Sequence, residues 1–294
     1  MMWNKPWGLG EGFLIGAGLI IAGLMLELSA GPVVWDAFSW PVNVIVLVCF
    51  VAMIAGMHLM RRRVYAFTFL STYPAAIPAI TIAVVLTMIM GLTRQTVNGT
   101  WVNNMLTFWP FVLVYVYMAV IVGMAILKRL GHFMWKRDVP FLLNHVGLFM
   151  VLTCATLGNA DMQRLKMITV IDEPEWRVMD QQQRLKEMDI AIELKQFIME
   201  QYDDGSPKRF ASEVNIMTKS GKNIHTTIDV NKPVEVDGWK IYQYGYDTAA
   251  GPQSQISIFE FVRDPWLPQV YIGIGLMLAG ALCMFILSQR HAKL

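Results

Sequence analysis

Charged residues are scarce in this chain. Of its 294 residues, 16% are charged and 55% are hydrophobic. Soluble domains have about a quarter of their residues charged, so this balance excludes an ordinary soluble protein and predicts an integral membrane protein. The formal net charge is only +2, and the basic residues form short clusters instead of one patch. We therefore expect no nucleic-acid partner.

Cysteine and histidine are also rare. The three cysteines, Cys49, Cys154 and Cys283, all lie inside apolar segments. None of them is available for a disulfide in the long polar region, which must fold without one. Zinc sites take several Cys, His, Asp or Glu ligands, and the sequence contains no such cluster. No catalytic residue is predicted.

Six apolar segments have about 20 residues each, the length that crosses a bilayer as a helix. They lie near residues 11–30, 42–60, 72–92, 107–127, 140–158 and 267–288. Pro74 and Pro78 are expected to kink the first turns of the third segment or to set them at the interface. The first segment could be mistaken for a secretory signal. It is long, follows a single basic residue, Lys5, and precedes further spans, so we interpret it as a retained helix.

The basic residues orient the predicted helices. Arg61, Arg62 and Arg63 follow the second segment. Other basic residues follow the fourth and sixth segments, namely Lys128, Arg129, Lys136, Arg137, Arg290 and Lys293. Loops rich in Lys and Arg stay cytoplasmic. We therefore expect a multi-pass protein of the cell's inner (plasma) membrane, with both termini cytoplasmic and residues 159–266 on the outer, periplasmic side.

Residues 159–266 are predicted to form one β-rich domain. Alternating or β-branched runs such as "DIAIELKQFIM" and "RFASEVNIMT" are separated by turn sequences, and Asp237-Gly238 is a hairpin signal. The predicted fold is a polytopic α-helical membrane protein with about six transmembrane helices and one extracytoplasmic β-rich domain. Helices 1–5 occupy residues 1–158, and the last helix and a cytoplasmic tail occupy residues 267–294.

His145 is the residue most suited to chemistry. It lies about six residues into the fifth segment, roughly 9 Å from its cytoplasmic end at 1.5 Å per residue. An ionisable side chain at that depth is costly and is a functional candidate by default, although an interhelical hydrogen bond is the simpler alternative. Haem iron needs only one or two axial side chains in an apolar pocket. Haem is therefore the common cofactor that this composition can hold.

Helical periodicity sorts the neighbours of His145. The face of His145 continues through Leu148, Phe149, Leu152 and Thr156, an apolar wall that suits a porphyrin, a lipid or another helix equally. A different face carries the small residues Gly147, Cys154 and Gly158, which are expected to pack against another helix.

The other four histidines have simpler explanations. His58, about three residues before the arginines, is expected to snorkel at the interface. His132 and His291 lie in basic segments and are expected to contact solvent or lipid headgroups. His225 lies in a predicted strand and is interpreted as a surface residue.

Five motifs in the second half of the chain resemble the ResB (CcsB) family of cytochrome c maturation proteins, also called system II. They are "NHVGLFMVLTCATLG", "EMDIAIELKQFIMEQY", "FASEVNIM", "IDVNKPVEVDGWKIYQYGYD" and "VRDPWLPQVYIGIGLMLAGALCMF". They occur in the family's order and cover about residues 139–288. The chain differs from the family in having two extra amino-terminal helices and a shorter outer domain.

The resemblance implies a function in haem binding and haem transport. With a CcsA-type haem-handling membrane protein, the family carries haem b across the lipid bilayer to apocytochrome c. The resemblance also implies that His145 is an axial ligand to the haem iron and that the second axial ligand belongs to the CcsA-type partner. The partner's tryptophan-rich haem motif is absent here, so the chain is expected to be at most a non-catalytic or shared part of a cytochrome c synthase (haem lyase) complex.

Anionic haem propionates need a cationic partner at the same membrane face. Arg61, Arg62 and Arg63, or Lys136 and Arg137, are the candidates, and their simpler role is to set the topology.

Two other functions remain open from the residues. One is an electron-carrying, cytochrome b-like subunit in which His58 and His145 both ligate one haem within this chain, since their depths are similar. The other is a haem-free structural membrane protein in which His145 only joins two helices.

Overall fold

A computed structural model of the chain describes residues 3–96 and 99–291. Lys293 and the side chains of Lys136, Arg290 and His291 lie outside the described residues. The helices are α1 (Leu9–Ala30), α2 (Val42–Met60), α3 (Tyr65–Phe69), α4 (Tyr73–Leu92), α5 (Trp109–Leu130), α6 (Trp135–Gly158) and α7 (Leu267–His291). The chain divides into two compact units. The helical unit comprises residues up to Asp161 and from Trp266 onward, and the sheet unit comprises Met162–Pro265.

Six helices in the described ranges are long and apolar enough to cross a membrane. They correspond to the six predicted segments, so this prediction is confirmed. The short helix α3 lies between α2 and α4. Both prolines whose effect was predicted for the third span lie within one continuous helix, α4. Pro74 lies in its first turn, where a missing N–H costs no hydrogen bond, and Pro78 lies within the helix beside Gly12 of α1.

Helix α1 packs along α4 and α5, and its buried Glu27 contacts the start of α5. The Glu27 carboxylate accepts a hydrogen bond from the backbone N–H of Trp109, at 3.1 Å. This N–H is one of the first in α5, which have no partner within their own helix. The carboxylate therefore satisfies a donor that has no acceptor within α5.

Helices α6 and α7 pack backbone against backbone. A Cβ atom at Gly147 would lie 2.4 Å from the carbonyl oxygen of Gly273, and one at Gly158 would lie 2.3 Å from the Trp266 side chain. Further along, Gly280 of α7 faces Asn144. Small residues permit such close approach in membranes. The prediction that Gly147 and Gly158 lie on a packing face is confirmed.

The helical unit has two distinct ends. One end, called here the basic end, contains the α2–α3 and α5–α6 loops, and Lys128 there donates to the backbone carbonyl of Ser71 at 3.0 Å. At the opposite end, called here the Asp161 end, the Asp161 carboxylate accepts from the Trp40 N–H, from Asn43 and from the Trp266 indole, each at 2.7 Å. The chain enters and leaves the sheet unit beside these last residues.

The sheet unit is one eight-stranded antiparallel sheet in the order β5-β4-β3-β2-β1-β8-β7-β6. The strands are β1 (Gln163–Val170), β2 (Pro174–Met179), β3 (Leu185–Gln201), β4 (Pro207–Thr218), β5 (Asn223–Asp229), β6 (Val234–Val236), β7 (Trp239–Tyr246) and β8 (Ile256–Arg263). Buried Ser212 of β4 and Ser257 of β8 are hydrogen-bonded at 2.6 Å. The sheet therefore curls around its apolar core, and the prediction of a β-rich domain is confirmed.

The predicted hairpin at Asp237-Gly238 is also confirmed. Val236 of β6 pairs directly with Trp239 of β7. Asp237 and Gly238 both have positive φ, 49° and 80°. This is the pattern of a two-residue turn that matches the strand twist, and Asp-Gly is a favoured sequence for it.

Candidate functional site

A cavity of about 560 Å³ lies at the basic end of the helical unit, among α4, α5 and α6. Sites for small molecules and cofactors measure roughly 300–1,000 Å³, so the cavity has the size of a cofactor site. Its walls are mainly apolar and include Ala76, Ala79, Ile80, Met118, Ile121, Val122 and Leu148. His145 also lines the cavity, with polar residues that include Ser71, Thr72 and Tyr73.

The tautomer of His145 follows from one hydrogen bond. Its Nδ1 lies 2.9 Å from the carbonyl oxygen of Phe141, one turn earlier in α6. A carbonyl oxygen can only accept a hydrogen bond, so Nδ1 must carry the proton and act as the donor. In the neutral ring the lone pair then belongs to Nε2. Histidines that ligate metals typically donate their other N–H to a carbonyl or carboxylate in this way.

Helix α6 begins five residues before the predicted segment, at Trp135 instead of residue 140. The Asp138 carboxylate accepts the backbone N–H of Met134 at 2.7 Å and so stabilises the added turn. His145 is therefore ten residues into the helix, about 15 Å at 1.5 Å per residue. The six residues inferred from hydropathy count from the start of the apolar segment and not from the start of the helix.

The predicted face of His145 divides among three environments. Leu148 and Leu152 line the cavity with His145. Phe149 instead stacks on Phe50 of α2, with ring centroids 6.2 Å apart and planes 4° from parallel. Thr156 lines a second cavity of about 280 Å³ between α5 and α6. Only the first two residues extend the wall beside the imidazole.

Three basic side chains line the cavity: Lys128, Arg129 and His132. The Arg129 guanidinium lies 3.3 Å from the Asp138 carboxylate and 4.7 Å from the centre of the Phe141 ring. The positive charges of Lys128 and Arg129 make the cavity amphipathic. It can take a flat apolar molecule whose anionic groups stay at the basic end.

The other predicted site residues lie elsewhere. Among the described residues that line the cavity, neither His58 nor Arg61, Arg62 and Arg63 appears. The Arg61 guanidinium contacts Nε2 of His58. Because a guanidinium can only donate, Nε2 is the acceptor of this hydrogen bond. Nδ1 of His58 is buried and has no hydrogen-bond partner within the described ranges. The structure therefore brings His145 together with Lys128, Arg129 and His132, and not with His58.

Sequence reasoning missed these three cavity residues for an identifiable reason. In the sequence, Lys128 and Arg129 indicate only the orientation of the helices. His132 is expected to contact solvent or lipid headgroups, and it is exposed, but it also lines the cavity. The signal was the short loop between α5 and α6, residues 131–134. Because this loop makes the two helices antiparallel neighbours, the last turn of α5 lies beside the first turns of α6.

Comparison with known proteins agrees with the motifs. Residues 136–260 match the model of the ResB-like family. The chain is similar to the cytochrome c biogenesis protein CcsB of Prochlorococcus marinus strain NATL1A, with 27% identity over 109 residues, 37% of this chain and 25% of that protein. For CcsB of P. marinus subsp. pastoris strain CCMP1986 / NIES-2087 / MED4, the identity is 30% over 100 residues, 34% of this chain and 22% of that protein.

The chain thus spans about a quarter of the length of the curated relatives that it matches. Among solved structures it is similar to cytochrome c heme lyase CcmF, with a TM-score of 0.38 and 13% identity, over 95% of this chain and 46% of that one. The segment that matches the ResB-like family model, from residue 136 to residue 260, includes His145, Phe141 and most of the sheet unit, and it overlaps the motifs that resemble this family.

Proposed function

We propose that this chain is a membrane component of cytochrome c biogenesis that binds haem b in the cavity beside His145. The ResB-like segment and the relatives named for cytochrome c biogenesis support this function. The observation that carries the proposal is the hydrogen bond from His145 Nδ1 to the Phe141 carbonyl. It places a proton on Nδ1, so that in the neutral ring the Nε2 lone pair is free to ligate iron.

The residues present fit haem. The walls contributed by α4, α5 and α6 are apolar, as a porphyrin face requires. Lys128 and Arg129 offer positive charge to the propionates, and we assign them this role in place of Arg61, Arg62 and Arg63 because they line the cavity. When bound, haem supplies an iron that accepts the imidazole and that cycles between two oxidation states.

The orientation and the partner complete the proposal. The basic end faces the cytoplasm by the positive-inside rule, and residues 162–265 then lie on the outer, periplasmic side. A CcsA-type partner would supply a second ligand to the iron, and apocytochrome c would receive the haem. The chain itself is a non-catalytic or shared part of that haem lyase complex.

A single-chain haem held by both His58 and His145 gains no support from the geometry. Nε2 of His58 contacts Arg61, and His58 does not line the cavity within the described part of the chain. A haem-free structural role for His145 is the remaining alternative. One experiment distinguishes these two alternatives from each other and from the proposed function.

The experiment compares His145→Ala with His58→Ala in the full chain, purified from its own membranes with the proteins that accompany it. Soret absorbance per protein measures retained haem. We expect His145→Ala to lower it at least about 10-fold, because even the outer-shell partners of a ligating histidine contribute 10–100-fold to affinity. His58→Ala should match the wild type.

Other outcomes identify the alternatives. Equal losses in both variants would support the intrachain bis-histidine haem. A wild-type preparation without a Soret band, alone and with its partners, would favour the haem-free protein. Unchanged absorbance in His145→Ala refutes the proposal.

A further inference from the structure

A series of contacts connects a buried carboxylate with His145. The carboxylate of Asp138 lies 3.3 Å from Nε of Arg129. The Arg129 guanidinium lies over the Phe141 ring, 4.7 Å from its centre. The Phe141 ring stacks on the imidazole of His145, with centroids 3.7 Å apart and planes 21° from parallel. The backbone carbonyl of Phe141 also accepts the Nδ1 proton.

Asp138 does more than cap its helix. Its side chain is fully buried and pairs with two guanidinium groups, those of Arg129 and Arg137. A buried carboxylate is costly unless such partners compensate its charge. The other contact, at 2.8 Å, is with Arg137, the half-exposed residue that precedes Asp138 in sequence. The contact with Arg129 is the one that reaches Phe141.

We propose that Asp138 and Arg129 are positioning residues for the haem ligand, acting through Phe141 on His145. This inference rests on the proposed function. The carboxylate holds the guanidinium over the ring, where a cation is attracted to the aromatic face. The Phe141 ring, held in place by the Arg129 guanidinium, stacks on the His145 imidazole and limits its rotation. The backbone carbonyl of Phe141 selects the tautomer of the same imidazole. The imidazole is thus oriented before iron binds, as outer-shell partners orient metal ligands elsewhere.

The chain offers a matched pair of variants. Asp138→Asn removes the charge that holds Arg129, keeps the side-chain shape and keeps an oxygen for the Met134 N–H. Arg137→Gln removes the other cation from the same carboxylate. Arg137, a candidate for the propionates by sequence, is not among the described residues that line the cavity, so this role passes to Lys128 and Arg129. Asp138 does not line the cavity in the described residues, so it cannot act on a bound haem by direct contact.

The first measurement titrates ferric haem b into the full-length chain, purified in detergent with the proteins that accompany it, and records affinity and spin state. Asp138→Asn should weaken binding about 10-fold, the lower end for loss of an outer-shell partner, and should increase the high-spin fraction. Arg137→Gln should stay within about twofold of the wild type. Asp138→Asn should have no further effect in an Arg129→Gln background, because the two residues act in series.

The second measurement repeats the comparison in His145→Gly with added imidazole as the ligand. A free imidazole has no bond to Phe141, so Asp138→Asn should leave haem affinity unchanged there. That result also shows that the Asp138 variant folds. An equal loss in both backgrounds, or an equal loss in Arg137→Gln, overturns the inference while leaving haem binding by His145 intact. If His145→Ala itself changes nothing, the proposed function fails, and this inference fails with it.

Discussion

An Ala125→Trp variant is expected to lose all of its retained haem b while keeping the fold of the wild-type chain. Ala125 lies on α5 and lines the cavity beside His145. An indole there would occupy space that a rigid porphyrin plane needs. This effect should exceed that of removing the imidazole, because His145→Ala leaves the apolar walls and the partner's ligand in place, whereas a filled cavity removes the whole binding surface.

The control for this variant is Val85→Trp. Val85 lies on α4, is half exposed, and is not among the described residues that line the cavity. Both proteins are purified from membranes, and Soret absorbance is compared with the amount of folded protein that elutes as a single species. Haem retention equal to the wild type in Ala125→Trp would show that the pigment binds elsewhere.

Gly147→Ile is expected to destabilise the helical unit by about 3 kcal/mol, the upper end for overpacking a filled interior. The new Cβ would meet the carbonyl oxygen of Gly273 at 2.4 Å, and the side chain of Met277 lies 2.8 Å away. A backbone atom cannot move aside as a flexible side chain can, so the two helices must separate. Separation would expose the backbone groups that the close contact now covers.

Gly275→Ile in α7 is the matched control. A Cβ at Gly275 meets no atom within 4 Å, and isoleucine has a higher helix propensity than glycine. The control should therefore equal or exceed the stability of the wild type, measured as the midpoint of unfolding in a mixed-detergent titration. Equal midpoints for Gly147→Ile and Gly275→Ile would show that α6 and α7 do not pack through these glycines.

The architecture of the helical unit was predictable because membrane spans are specified by length and apolar composition alone. All six spans appear near their predicted positions. The boundary of α6 was not predictable from hydropathy. Asp138 and Pro140 resemble a helix break in sequence, yet the Asp138 carboxylate caps a turn that starts at Trp135.

The candidate site was only partly predictable. His145 could be singled out because an ionisable residue within an apolar segment is costly. Its surroundings could not be inferred, because the sequence does not specify the rotation of each helix about its axis. Arg61 follows α2 but contacts His58, whereas Arg129 at the end of α5 lies over the ring of Phe141. His58 and His145 have similar predicted depths in the membrane, but only His145 is among the described residues that line the cavity.

Pulsed electron paramagnetic resonance of the ferric protein tests the iron ligand most directly. The chain and its partner are produced in cells fed ¹⁵N-histidine, and His145→Gly is supplied with unlabelled imidazole. If Nε2 of His145 ligates the iron, one ¹⁵N coupling of the wild-type haem is replaced by a ¹⁴N coupling in the rescued variant. If the ¹⁵N couplings of the rescued variant equal those of the wild type, the haem is bound by other residues and the account is wrong.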